Sequence, residues 1–226
     1  MKNAVVIVAA GRGKRFSKCA NTSKFALKQF LNISGKPMFL WSVETFISIK
    51  SFKQVIVVVP NNMIKYLSLK YKENISYIAG GHERFDSVKN GLALVDDDIK
   101  FVAIHDAARP LISRSDILSI LKKAIETKAA IAVDKVKDTI KLFSKNGYIL
   151  KTLNRSTLRN AQTPQIFETK LLKKAYAKKF SKNITDDSQL IEKLKIRVFG
   201  VETKFPNFKI TNAQDFKLAT AIISNK

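Results

Sequence analysis

The first apolar run of the chain spills into AAGRGKRF, residues 9–16, where Gly11 and Gly13 alternate with Arg12, Lys14 and Arg15. Glycine amides without side chains let a phosphate approach the backbone, and the neighbouring cations would neutralise it. Lys24 and Lys28 follow downstream. The stretch is not a Walker loop, since no Gly-Lys-Ser/Thr follows, and Phe16 stands where the dinucleotide fingerprint needs its third glycine. On its own it reads sooner as an ordinary βα turn with solvated lysines.

Two further segments narrow the chemistry. In GGHERFDSVKNGL, from Gly80, the paired glycines allow a sharp turn, and Ser87 lies where it could hydrogen-bond a base or ribose or simply start a helix. In HDAARP, residues 105–110, Asp106 sits at the end of an apolar run, flanked by Ala107 and Ala108, which leave room for a ligand. Asp106 is the candidate Mg²⁺ ligand, because hard cations on nucleotides take one or two carboxylates and fill the remaining positions with phosphate oxygens and water. Arg109 could pair with a phosphate or lock Asp106. His82 and His105 are far apart in sequence and lack a cysteine partner, which argues against zinc. No Gly-x-Ser-x-Gly occurs, and Cys19 has no adjacent histidine, so a covalent nucleophile is not expected. Cations, bare amides and one well-placed carboxylate suit phosphoryl or nucleotidyl transfer, in which positioning and charge stabilisation do the catalysis.

Such residues need a scaffold that brings distant loops together. Strand-length apolar runs at AVVIVAA, 54–60, 75–79, KFVAIHD and AAIAVDKV alternate with helical patterns near 38–49, 63–71, 83–95 and 115–128. This alternation predicts an α/β, Rossmann-like, mostly parallel twisted sheet with helices on both faces. In such sheets ligands bind outside the carboxyl ends of the strands. The Gly11 loop, the Gly80-Gly81 turn, Asp106 and the Asp138-Thr139 pair should therefore be the chemical positions. Between Asp138 and Leu153 the pattern changes to DTIKLFSKNGYILKTL, a hairpin turning at Asn146-Gly147. A lone hairpin is marginal, so this arm, about residues 137–155, should pack on something, with a second copy of the chain as the candidate. Helices near 169–179 and 186–194, a strand at IRVFGV and a last helix near 213–223 complete the expectation of one domain over residues 1–226.

Composition sets outer limits. The 226 residues are 46% hydrophobic, which excludes a mostly disordered chain. No apolar run reaches the ~20 residues of a membrane span, and a single cysteine suits a reducing, cytoplasmic compartment. The formal net charge of +23 leaves three readings open: nucleic-acid binding without catalysis, scattered lysine enrichment, or electrostatic steering of small anionic substrates.

Taken in register, AAGRGKR, LKQFLNISGKP, GGHERFDSV, HDAARP, VKDTIK, NAQTPQIF, TDDSQLIE and NFKIT resemble the cytidylyltransferases that activate sugar and polyol phosphates, over nearly the whole chain. Ala9-Ala10-Gly11, Asp86-Ser87 and Ala107-Ala108-Arg109 lean toward the branch acting on 2-C-methyl-D-erythritol 4-phosphate; the ribitol 5-phosphate branch is the alternative. The resemblance implies CTP as nucleotide, Mg²⁺ as cofactor, and a homodimer clasped by the hairpin, with neither nucleic acid nor membrane as partner. It implies charge stabilisation on the α-phosphate by Arg15 and Lys28. It also implies nucleotide contacts from Ala9, Ala10, Gly11, Gly13, Gly81, Ser87 and Ala107, and Mg²⁺ binding by Asp106. Arg109, Thr139, Arg155, Thr185 and Lys209 match positions that contact the methylerythritol phosphate, with Thr139 and Arg155 serving the neighbouring subunit. The chain departs from the family pattern in a longer segment from Phe16 to Leu27, with Leu27 in place of a common proline, which keeps Lys24 open as an alternative to Lys28. Asn154 stands where aspartate is common.

Overall fold

The structure, a computed structural model, describes residues 1–11, 27–71, 74–178 and 184–225. Its strands are β1 (Asn3–Val8), β2 (Asn32–Ile33), β3 (Lys36–Pro37), β4 (Phe52–Val59), β5 (Ile75–Ala79), β6 (Phe101–Asp106), β7 (Ala129–Lys135), β8 (Lys141–Phe143), β9 (Ile149–Thr152), β10 (Arg159–Glu168) and β11 (Phe199–Glu202). The helices are α1 (Met38–Ile47), α2 (Ile64–Lys70), α3 (Arg84–Ala93), α4 (Arg114–Thr127), α5 (Thr169–Ala177), α6 (Ser188–Glu192) and α7 (Ala213–Ser224). Two strand pairs, β2–β3 and β8–β9, stand apart from a seven-stranded sheet of order β11-β7-β10-β6-β1-β4-β5.

The sheet is parallel except for β10, which runs antiparallel to β6 and β7 on either side. Both faces are covered, which explains the unbroken apolar run of β1. Val5 and Ile7 pack into one layer with Phe39, Val43 and Phe46 of α1 and Ile117 and Ile120 of α4. Ala4 and Val6 pack into the other with Val88 and Leu92 of α3, Leu172 of α5 and Leu190 of α6. Local chemistry marks the helix starts: Asp86 accepts the Glu83 amide at 3.0 Å, Ser113 accepts the Asp116 amide at 3.0 Å, and Asn212 accepts the Asp215 amide at 2.8 Å. The chain leaves β1 toward β4 and β5 on one side, then crosses to β6 on the other. Its topological switch therefore lies between the carboxyl ends of β1 and β6, where a ligand crevice is expected.

Several expectations are corrected. The sequence pattern predicts a helix as the next element after the hairpin, but β10 intervenes and enters the sheet between β6 and β7. Its first half, RNAQTP, shows neither alternation nor β-branched enrichment, and Gln162, Thr163 and Gln165 are nevertheless buried. Those polar groups are satisfied by side chains and backbone amides remote in sequence, among them Asn207 Nδ2 and the amides of Asp106, Asp187 and Ser188, which no local pattern announces. The strand expected at IRVFGV pairs only from Phe199, and β1 ends at Val8, leaving Ala9 and Ala10 to the loop that follows. Pro37 precedes α1 as its cap and closes the β2–β3 pair, whose turn uses Ser34 and Gly35 at φ of 48° and 88°.

Candidate active site

The carboxyl ends of β1, β5 and β6 share one rim of the sheet: the Ala107 amide after β6 donates to Val8 O of β1, and Gly80 after β5 abuts Ala10 after β1. Asp106 closes β6 with its side chain 11% exposed, gripped from two sides: Lys209 Nζ donates to Oδ2 at 2.7 Å and Arg84 Nε to Oδ1 at 3.3 Å. Burial would raise the carboxyl pKa, but Arg84, Lys209 and Arg109 outweigh it and hold the group well below the usual carboxylate range. Arg109 donates through Nη1 to the Asn207 carbonyl at 2.7 Å, while its buried Nε has no hydrogen-bond partner among the described residues. Burial, opposed by Asp106, lowers the Arg109 pKa from its ordinary value. A half-buried guanidinium with a donor to spare is suited to an incoming anion.

Beneath Asp106 lies a chain of neutral hydrogen bonds. The Asp106 amide donates to Thr163 Oγ1 at 3.0 Å, and Thr163 Oγ1 lies 3.3 Å from His105 Nδ1. His105 Nε2 is 3.2 Å from both the Arg109 carbonyl and Ser42 Oγ. Asn207 Nδ2 donates to Gln162 Oε1 and to the Thr163 carbonyl, each at 2.9 Å. The antiparallel β10 thus brings its starting residues to the finishing end of β6.

The nucleotide positions expected from the sequence gather at the same rim. Ala9 and Ala107 are buried, and their amides extend the sheet by donating to Val58 O at 2.8 Å and Val8 O at 3.1 Å. Gln29, to which the sequence alone assigns no role, reaches back with Nε2 to the carbonyls of Ala9 at 2.6 Å and Gly11 at 3.0 Å and fixes the start of the loop. Gly81 donates its amide to Ser87 Oγ at 3.1 Å, and the Ser87 hydroxyl donates to Glu83 O at 3.1 Å, so Ser87 first serves to shape its own turn. Lys28 donates to the Ile210 carbonyl at 2.6 Å, which carries it to the segment holding Lys209. Gly13 and Arg15, with the alternative Lys24, lie outside the described residues.

The remaining expected residues are spread wider. Thr185 is exposed; its hydroxyl accepts from Gln189 Nε2 at 2.9 Å just before α6. Thr139 and Arg155 are exposed at the base of the β8–β9 hairpin, where Arg155 Nη1 donates to Lys137 O at 2.6 Å. The hydrogen bonds to the Asp106 carboxylate come instead from Arg84 and Lys209. Asn154 caps the adjoining 3-10 turn by accepting the Ser156 amide at 3.1 Å, a task aspartate would also perform.

A protein-family model described as 2-C-methyl-D-erythritol 4-phosphate cytidylyltransferase (IspD) matches residues 3–225. The chain belongs to this family. The 2-C-methyl-D-erythritol 4-phosphate cytidylyltransferase of Endomicrobium trichonymphae is 65% identical over 225 residues, covering 100% of both chains. That of Caldanaerobacter subterraneus subsp. tengcongensis is 39% identical, covering 97% of each. Among crystal structures, 4-diphosphocytidyl-2C-methyl-D-erythritol synthase from Anaerococcus prevotii superposes with a TM-score of 0.82 at 30% identity, covering 99% of this chain and 98% of its own. The 2-C-methyl-D-erythritol 4-phosphate cytidylyltransferase of Thermus thermophilus gives 0.78 at 30% identity, covering 99% and 100%. The cytidylyltransferase family thus shares the sheet on which Asp106, Arg109 and Lys209 are assembled. Gln29, Arg84, Thr163, Asp187 and Asn207 all lie in the motif segments, yet the sequence assigns them no role, because each acts through a partner supplied by another element.

Proposed function

We propose that the protein catalyses CTP + 2-C-methyl-D-erythritol 4-phosphate → 4-diphosphocytidyl-2-C-methyl-D-erythritol + pyrophosphate, a step in isoprenoid precursor synthesis, as one cytoplasmic nucleotidyltransferase domain with a dimerising arm. The observation that carries the reading is Asp106 at the β1/β6 switch point, ringed by Arg84, Arg109 and Lys209, on a chain aligned end to end with this family. A phosphate oxygen of the methylerythritol phosphate attacks the α-phosphorus of CTP in line. The new P–O bond forms as the bond to the bridging oxygen breaks, and pyrophosphate leaves with that oxygen. No group on the protein is covalently modified. Lys28, with Arg15, bears on the charge at the α-phosphate. Ala9, Ala10, Gly11, Gly13, Gly81, Ser87 and Ala107 hold the nucleotide. Arg109, Lys209 and Thr185 hold the second phosphate compound, while Thr139 and Arg155 reach the site of a second copy of the chain.

The donor set fits a Mg²⁺ that arrives with the nucleotide. Among the described residues no three His, Cys, Asp or Glu side chains cluster as a metal site, and a nucleotide-borne Mg²⁺ needs only one or two carboxylates. Among the described residues each Asp106 oxygen receives one hydrogen bond from a cation and keeps further lone-pair capacity. With three cations already near, a bare divalent ion would be repelled, whereas one bound to a triphosphate would not. When bound, Mg²⁺ neutralises charge on the phosphate oxygens; Asp106 would hold it.

Pyrophosphate release is measured with CTP and Mg²⁺ against methylerythritol phosphate and ribitol 5-phosphate separately, with ATP and GTP as nucleotide controls. Turnover with CTP and methylerythritol phosphate is expected, at least about 100-fold reduced in Asp106→Asn. Equal or greater turnover with ribitol phosphate would reject the substrate assignment.

A further inference from the structure

Arg84 opens α3 directly after the Gly80-Gly81 turn, and its guanidinium spans two carboxylates from different parts of the fold. Nε faces Asp106 at 3.3 Å, while Nη2 donates to Asp187 Oδ2 at 2.7 Å. Asp187, its side chain 1% exposed, is fixed in turn: the Tyr176 hydroxyl of α5 donates to its Oδ1 at 2.5 Å, and its amide donates to Gln165 Oε1 at 3.1 Å. Phe85, next to Arg84, stacks on Tyr176 with ring centroids 4.6 Å apart and planes at 21°. Three elements outside β6 therefore dictate where the Arg84 side chain can be, and one edge of it meets the carboxylate at the strand end.

We infer that Arg84, anchored by Asp187, is a positioning residue for Asp106 and so sets the orientation of the carboxylate against which the phosphates are arranged. The inference rests on the proposed cytidylyltransferase reaction. Its physical basis is the fork of the guanidinium. Separate nitrogens, fixed in one plane, meet the two carboxylates, whereas a lysine ammonium offers a single point charge that cannot address both edges at once. Lys209 alone leaves Asp106 hinged on one oxygen. The longer 3.3 Å contact to Asp106 and the shorter 2.7 Å contact to Asp187 match this division of labour, with one carboxylate as anchor and the other as the group being held. Burial disfavours the Arg84 charge, but Asp187 and then Asp106 more than offset it and raise the pKa above the ordinary arginine value, so the cation is permanent. The contact also joins the turn at Gly81 and Ser87 to the segment that begins at Thr185, two residues before the anchor.

The alternative is that Arg84 and Asp187 form only a structural ion pair. Removing one member of a buried pair is destabilising because it strands a charge, whereas removing both need not be. Arg84→Gln, Asp187→Asn, the double variant and Arg84→Lys are compared with the wild type by thermal unfolding, by steady-state kinetics on folded protein, and by calorimetric titration of CTP with and without Mg²⁺. The double variant is expected to recover the Tm lost in Arg84→Gln yet keep a kcat at least about 10-fold below wild type, with KM for CTP little changed, because Asp106 stays unanchored. Arg84→Lys, which retains the charge, should fold and show the same loss of kcat together with a weakened enhancement of CTP binding by Mg²⁺. Recovery of kcat along with Tm in the double variant, or wild-type kcat and Mg²⁺ enhancement in Arg84→Lys, would overturn the inference. Should the double variant fail to regain its Tm, the Arg84→Lys result decides. A wild-type protein inactive with CTP and methylerythritol phosphate would instead sink the proposed reaction, which separates the two failures.

Discussion

His105 sits wholly buried beside Asp106, and its neighbours assign its proton. The Arg109 carbonyl can only accept, so Nε2 carries the hydrogen; Thr163 Oγ1, already accepting from the Asp106 amide, donates its own proton to Nδ1. A second proton on the ring would strand the Thr163 hydroxyl. Burial above all lowers the His105 pKa to about 4, with Asp106 and the Arg109 carbonyl opposing it and the Arg109 and Lys209 charges assisting. The folded state therefore favours the neutral ring, and the unfolded chain, titrating near the ordinary 6.5, takes up the proton first. This contribution, about 3 kcal/mol, is complete above pH 6.5 and is lost as pH falls toward 4. Thermal unfolding from pH 7 to 4.5 should show a shallower loss of Tm in His105→Asn than in the wild type; equal slopes would reject the assignment. At this scale Asp106 and Arg109 can be picked from the sequence, since charged residues at the end of an apolar run stand out, and Lys209 only through the family resemblance. For His105 the sequence offers only the argument against a zinc site, and its actual work requires Thr163 and Ser42 from β10 and α1.

The elements around the crevice fit closely because glycines remove side chains where they meet. A Cβ on Gly91 of α3 would fall 2.4 Å from Val6 Cγ1 of β1, and one on Gly80 would fall 2.2 Å from the Ala10 Cβ. The two substitutions should separate packing from binding. Gly91→Ala overpacks the contact between helix and sheet and should cost about 1–3 kcal/mol in stability, with KM for CTP nearly unchanged. Gly80→Ala pushes on the loop at Ala10 and should raise KM for CTP by about 10-fold, since one displaced contact of that order is worth about 1.4 kcal/mol. Urea unfolding and steady-state kinetics on both variants check the contrast, and a reversed pattern would contradict it. The sequence marks the Gly80-Gly81 pair as a site of close approach, and it marks β5, α3 and β6 almost to their ends, because apolar periodicity and capping residues are local signals. It does not reveal β10 as a strand. A polar segment becomes a central strand only when remote partners such as Asn207 satisfy it.

At the level of the molecule, the β8–β9 hairpin projects Leu142, Phe143, Tyr148, Ile149 and Leu150, all exposed in the single chain. An apolar arm of this kind needs a partner surface. On the proposed dimer, in which Thr139 and Arg155 serve the second copy's site, shortening the arm between Lys141 and Lys151 should give a monomer by sedimentation with at least about 10-fold lower kcat/KM. A fully active monomer would rule out shared sites. No helix among the described residues is long and apolar enough to cross a membrane. The alternation of apolar runs and helical patterns determined, from sequence alone, a wound sheet and the carboxyl strand ends at which its chemistry is to be sought, and the ordered motifs pointed to the family. Periodicity and short motifs are properties of neighbouring residues, so both survive without coordinates. The tertiary structure alone decided that β10 runs backwards into the sheet, that Thr163 and Asn207 underpin Asp106, and that Arg84 joins it to Asp187. Those contacts link residues distant along the chain, and their energies exist only once burial has brought the partners together and removed the water that would otherwise satisfy them.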